Sequence, residues 1–117
     1  MMTLNEFQEK ALFTAGYPNE FKTIYPALGM NGEAGEVADK VKKILRDTEY
    51  RKDKYGAIAI PDEKKKDIAL EIGDVLWYCA TLSADLGYSL DDIARMNVEK
   101  LASRKARGVL GGSGDNR

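Results

Sequence analysis

The stretch "PALGMNGEAGEVADKVKKILRD", residues 26–47, decides the fold. Within it Met30, Ala34, Val37, Ala38, Val41, Ile44 and Leu45 recur at intervals of three and four, the period of a helix with one buried face. Pro26 suits the first turn of such a helix, where its missing N–H costs nothing, so the helix is expected from Pro26 to about Asp47. A second stripe of the same period, Ile68, Ile72, Val75, Leu76, Cys79 and Leu82, predicts another long helix, opening over Asp62 to Lys66 and ending at Gly87. Its acids near the start suit the helix dipole. Ser89-Leu-Asp-Asp92 caps a further helix with Leu90, Ile93, Ala94, Val98, Leu101 and Ala102 facing inward. In front of these, Thr3-Leu-Asn-Glu6 has capping-box form and predicts a short helix from Leu4, with Phe7, Ala11 and Leu12 on one face, stopping at Gly16. "YPN" (17–19) reads as a turn. Residues 48–61 lose the helical period and read as a loop, in which "AIAI" is at most a short extended piece. The expectation is an all-α fold, a bundle of about four helices: one domain over 1–107 and a Gly-rich C-terminal arm, "GVLGGSGDNR", over 108–117.

Composition narrows the chemistry. A chain of 117 residues fits one compact domain, or one protomer of an oligomer whose core is partly shared between chains. The net charge of −1 and pI near 5.5 provide no field to draw in nucleic acid or an anionic membrane, so neither is an expected partner. No window reaches the roughly 18 apolar residues of a membrane span, and "MMTLNEFQEK" lacks signal character, so a cytoplasmic protein is expected. The lone cysteine, Cys79, excludes an intrachain disulfide. The absence of histidine excludes Ser-His and Cys-His nucleophiles, imidazole acid–base chemistry and His-containing metal sites. Catalysis must rest on carboxylates, Lys, Tyr or a metal held by oxygen.

Two pentapeptides share one pattern: Glu33-Ala-Gly35-Glu36-Val37 and Glu71-Ile-Gly73-Asp74-Val75. Positions three apart share a helix face, so Glu33 projects with Glu36, and Glu71 with Asp74, each pair bordering an apolar stripe. A mid-helix glycine costs roughly 1 kcal/mol relative to Ala, and two of them beside acid pairs suggest a backbone approached closely by a helix or a ligand. Four carboxylates brought together would repel, which Mg²⁺ or Mn²⁺, hard cations with oxygen ligands, would relieve. A solvated acidic face is the plainer reading of either pair alone. On the last helix Asn97, Lys100 and Arg104 form a stripe that reads as an anion-binding wall or as ordinary surface charge. Tyr78, one turn after Asp74, and its neighbour Trp77 are candidates to touch a base or ribose, or are core.

These residues resemble the MazG-like, all-α nucleoside triphosphate pyrophosphohydrolases, whose signature is Glu-x-x-Glu followed by Glu-x-x-Asp on two helices of a bundle. The resemblance rests on "GEAGEVADKVKK", "EIGDVLWY" and "LGYSLDDIARMNVEKLASRKARGVL", and covers roughly residues 25–47 and 62–117. The ending "GSGDNR" looks like that of a small stand-alone bacterial and phage subgroup. The resemblance implies Mg²⁺-dependent hydrolysis of a (d)NTP to the monophosphate and pyrophosphate, without a covalent intermediate. It implies that Glu33, Glu36, Glu71 and Asp74 hold metal, and that Glu33 and Glu36 are catalytic, Glu33 helping to deprotonate water. Asn97, Lys100, Arg104 and Tyr78 would bind substrate, and the active unit would be a homodimer or homotetramer with sites built from more than one chain. The chain departs from the pattern in two places. Gly32 stands where many relatives carry a further Glu, and the stretch between Glu36 and Glu71 is longer than usual. A non-catalytic helical module that binds a nucleotide or a partner is the competing expectation.

Overall fold

The computed structural model describes residues 1–117. Four helices account for most of the chain: α1 (Leu4–Thr14), α2 (Ile24–Arg46), α3 (Asp62–Asp85) and α4 (Leu90–Ala106). A 3-10 turn over Asn19–Phe21 and two paired strands of two residues, β1 (Arg51–Lys52) and β2 (Ile58–Ala59), complete it. The fold is all-α. The capping box at Thr3 forms in full, with the Glu6 side chain returning to the Thr3 N–H.

α2 begins two residues before Pro26, and a tertiary contact sets that start. Thr23 sits at φ +70°, a conformation disfavoured for a β-branched residue, and its N–H donates to the Asp85 carboxylate at 2.8 Å. The same oxygen accepts from the Tyr17 hydroxyl at 2.8 Å, so the end of α3 ties down the whole α1–α2 connection. The stretch over 48–61 is more ordered than a plain loop. Asp53 Oδ1 accepts from the N–H groups of Tyr55 and Ala57, Gly56 takes φ +80°, and the resulting turn pairs Arg51 with Ala59 and Lys52 with Ile58.

The packing centres on α3. Ala11, Ala80 and Leu90 are buried together from three helices, with Phe7, Trp77 and Cys79 against them. Gln8 is buried among them, and all its polar atoms are paired. Its amide donates to the carbonyls of Ala80 (3.0 Å) and Tyr88 (3.1 Å) and its oxygen accepts from the Leu90 N–H (3.1 Å). One side chain of α1 thus joins the end of α3 to the start of α4. The long helices α2 and α3 run antiparallel: Gly29 meets Tyr78, Met30 Sδ lies 3.6 Å from Cys79 Sγ, and Lys40 reaches Glu71. A Cβ at Gly29 would lie 2.3 Å from the Tyr78 ring, so that ring rests directly on the α2 backbone. No helix of the protomer approaches Gly35 or Gly73 closely. Both face open space in the protomer, and the glycine that the seam requires is Gly29.

Only nine of the 117 residues are buried. The radius of gyration is 17.5 Å, against about 13 Å for a compact chain of this length. Of the expected apolar stripes, Ile44 and Leu90 are buried, whereas Ile72 is 55% and Val98 66% exposed. Replacing Gln8 with Leu should strand the Leu90 N–H and two carbonyls, and lower stability by about 2 kcal/mol. Urea unfolding checks it, and an unshifted midpoint would contradict the keystone role.

Candidate metal centre

The antiparallel register of α2 on α3 brings Glu33 opposite the Glu71/Asp74 pair. One carboxylate oxygen from each of Glu33, Glu71 and Asp74 lies within 4.8 Å of the others, with Glu33 and Glu71 half-buried and Asp74 exposed. Loss of hydration at the seam pushes the Glu33 carboxyl above its ordinary pKa, and the Asp74 charge, a hydrogen bond with Glu71 and the charges of Glu71 and Glu36 add to this. Three hard oxygen donors in one crowded acidic cluster fit a divalent cation such as Mg²⁺ or Mn²⁺. A cation there would remove the repulsion that raises Glu33.

Glu36, the fourth acid of the sequence pattern, is not in this cluster. It lies one turn further along α2 and lines an adjoining cleft of about 190 Å³ with Asp39, Lys40, Lys43, Ile44, Glu49, Lys64 and Asp67. Its charge is the smallest of the influences on Glu33. The structure adds Lys40, which the sequence reading passed over. Its ammonium stands 3.4 Å from the Glu71 carboxylate, across the helix seam. The signal was available, because Lys40 is seven residues after Glu33 and therefore on the same face of α2.

On the other side of the cluster a pocket of about 350 Å³ is lined by Thr14, Glu33, Asp74, Trp77 and Tyr78. Trp77 Nε1 donates to Thr14 Oγ1 at 2.8 Å, which fixes the indole. Trp77 and Tyr78 meet edge to face at 5.0 Å, Tyr78 tilts toward Tyr25 at 6.3 Å, and Tyr25 stacks on Tyr17 at 5.0 Å. Burial, and next the neighbouring Tyr25, push the Tyr78 phenol above its ordinary pKa. Burial and the hydrogen bond to Asp85 push Tyr17 up to about 12. Both are neutral donors at physiological pH and neither is poised as a base. Thr14 and Tyr17 come from α1 and the segment after it, so no local sequence signal tied them to the acids, whereas Tyr25 stands at the start of α2, two turns before Glu33.

The three residues expected to bind anions are on α4, and none of them lines the acid pocket. Asn97 and Lys100 are exposed. Arg104 is 5% exposed and is held by its own chain, donating through Nη2 to the Asp115 main-chain oxygen at 2.8 Å and to its carboxylate at 3.4 Å. Lys100 lies 3.8 Å from the same carboxylate. The C-terminal residues therefore lie on the α4 of their own protomer.

Comparison with known proteins bears on this geometry. Residues 21–109 match the family model of the MazG nucleotide pyrophosphohydrolase domain, a span that contains all four signature acids and α4. The "Gene 37 protein" of Mycobacterium phage L5 is 50% identical over 93 residues, which cover 80% of this chain and 75% of that protein. No solved structure matches the chain. With its acid pairs on two antiparallel helices and the family model spanning most of its length, the chain belongs to the MazG nucleotide pyrophosphohydrolase family.

Proposed function

We propose that the protein is a Mg²⁺-dependent pyrophosphohydrolase that cleaves a (d)NTP between its α- and β-phosphates, releasing the monophosphate and pyrophosphate. The observation that carries this reading is the convergence of Glu33, Glu71 and Asp74 beside an aromatic pocket. Glu33, Glu71 and Asp74 would hold the metal, with Mn²⁺ as a substitute for Mg²⁺, and Glu36 would complete the ligand set from the next turn. When bound, the metal supplies positive charge for the polyphosphate and a water acidic enough to attack at neutral pH. The chain's own part is to orient and to move one proton. Glu33, the acid that α2 brings to the cluster, accepts the proton of the attacking water, and Glu36 supports it as a catalytic acid. Trp77, Tyr78 and Thr14 offer a surface for the base or ribose next to the acids. Lys40 keeps Glu71 in place across the seam.

In the same reading, Asn97, Lys100 and Arg104 meet the phosphates from the α4 of a second protomer. Support comes from the exposed apolar side chains on helix faces, among them Leu28, Leu70, Ile72 and Val98, and from the small fraction of the chain that is buried. A homodimer or homotetramer would cover these faces. Nucleic acid and membrane are not proposed as partners, and a cytoplasmic location is the reading that the composition supports.

Three outcomes are expected. With Mg²⁺ and a panel of dNTPs, the protein should release monophosphate and pyrophosphate, and Glu33→Gln, Glu71→Gln or Asp74→Asn should each lower kcat at least about a hundredfold. Orthophosphate release would point to a phosphatase, and tight nucleotide binding without turnover would favour the non-catalytic module. The second outcome concerns pH. A carboxyl whose folded pKa is raised stabilises the fold below its ordinary pKa, and that contribution is lost as pH rises through the raised value. Metal-free protein should therefore lose Tm across that interval, Glu33→Gln should reduce the loss, and Mg²⁺ should restore Tm to the wild type but not to the variant. The third is size: light scattering should give a mass of at least two 13.0 kDa protomers, and Val98→Asp should shift it toward one. A monomeric wild type would remove the shared-site arrangement.

A further inference from the structure

The charge of the chain is not spread evenly. Ten of its 18 lysines and arginines but only five of its 19 acids fall within residues 40–66, a net +5 that leaves −6 for the rest of a chain of net −1. The fold gathers this stretch at one end of the molecule. Lys40 and Lys43 close α2, the antiparallel register sets Lys64 at the start of α3 beside them, and the hairpin of β1 and β2 joins the two helices. Three of the five acids face cations of the same stretch: Asp47 lies 2.8 Å from Arg46, Glu49 3.4 Å from Lys64, and Asp62 3.4 Å from Lys65. A fourth, Asp53, is turned into its own loop, where Oδ1 accepts two backbone N–H groups. Arg51, Lys52 and Lys54 on the hairpin are exposed and have no carboxylate partner. The Lys54 ammonium lies 5.0 Å from the centre of the Tyr55 ring, a neutral neighbour that leaves its charge uncompensated.

A run of cations is ordinary solvated surface where nothing lies next to it. Here the acid cluster does. The cleft of about 190 Å³ that adjoins the cluster is lined by Lys40, Lys43 and Lys64 together with Glu36, and Lys40 itself touches Glu71. From Glu33 to Lys40 is seven residues of helix and to Lys43 ten, about 10 and 15 Å. The Debye length in 0.1 M salt is about 10 Å, so the field of the basic end reaches the cluster at moderate ionic strength. An anion approaching three carboxylates is repelled, and a basic surface to one side lowers that barrier and raises the rate of encounter.

We propose that the basic end, and the hairpin above all, is a capture surface that steers the polyphosphate of a nucleotide toward the acid cluster. It acts by attraction at a distance and touches no reacting group. The inference deepens the pyrophosphohydrolase reading and rests on it for the identity of the anion. A small polyphosphate suits this surface better than a nucleic-acid strand. The cleft leads to the acids, and beside the hairpin a hollow of about 600 Å³ lined in part by Glu49, Asp62 and Glu63 interrupts the cations that a continuous phosphate backbone would have to cross.

The test is stopped-flow association of a dye-labelled dNTP with the full chain in Mg²⁺, over a series of sodium chloride concentrations. The wild-type association rate constant should fall as salt rises. Reversing the hairpin charges together (Arg51→Glu, Lys52→Glu and Lys54→Glu) should lower it about tenfold at low salt, leave the dissociation rate unchanged, and lose its effect at high salt. The set Arg51→Lys, Lys52→Arg and Lys54→Arg, which keeps the charge, should behave as the wild type and so separates charge from hairpin shape. Reversing Lys10, Lys22 and Lys105, outside this end, should have a severalfold smaller effect, and an equal one overturns the proposal. An association rate that ignores the hairpin reversal, or a loss carried by faster dissociation, also overturns it. Single-stranded DNA that binds more tightly than the nucleotide, and loses that affinity on the same reversal, assigns the surface to nucleic acid instead. A protein that shows the steering but releases no pyrophosphate loses the enzymatic reading and keeps the surface. Pyrophosphate release with an association rate blind to the reversal does the opposite.

Discussion

Carboxylates resist being neighbours, and the molecule is arranged around a place where three of them are made to be. Glu33 comes from α2, and Glu71 and Asp74 from α3, so the cluster exists only while the two helices hold one antiparallel register. That register is set by contacts to either side: the neutral ones of Tyr78 on Gly29 and of the two sulfurs of Met30 and Cys79, and the ion pair of Lys40 with Glu71. Loss of hydration, and next the repulsion from Asp74, show in the raised proton affinity of Glu33. Packing elsewhere must offset a local cost, as is usual where a fold stores chemistry rather than stability.

Position in the fold explains the division between acid and cation. The acids lie on the seam of the two longest helices, which is rigid because α3 is packed by α1, α2 and α4. Asn97, Lys100 and Arg104, expected to meet phosphate, lie on α4. A flexible counter-charge beside a fixed acidic cluster would simply neutralise it. Keeping them on separate elements preserves both, with Lys40 as the single cation allowed across the seam.

The sequence was most legible where one helix face decides the structure. The stripes of α2 and α3 and the caps at Thr3 and Ser89 are local signals, and each element formed within about two residues of its expected bounds. The start of α2 departed because Asp85, 62 residues away, supplies the acceptor that lets Thr23 turn. The acid pairs were legible as motifs, but periodicity cannot tell which turn of one helix faces which turn of the other. Glu36 was therefore read into the cluster from which the register leaves it one turn away. Gln8 and the arginine-bound tail were illegible for the same reason: their partners lie on other elements or follow turns set by glycine φ values. Gly35 and Gly73 drew attention, but within the protomer the helix-to-helix close approach belongs to Gly29, whose need for a bare backbone comes from a ring on another helix.

The indole on the wall of the acid pocket has one more consequence. Trp77 is the only tryptophan of the chain, fixed by Thr14 and set edge-on to Tyr78 beside Glu33 and Asp74. Its emission therefore comes from a single place, the pocket it shares with two of the carboxylates, with no second indole to dilute it. The protein carries a built-in optical gauge of its own centre, and the polarity, quenching and anisotropy of that one fluorophore follow events there without any added label.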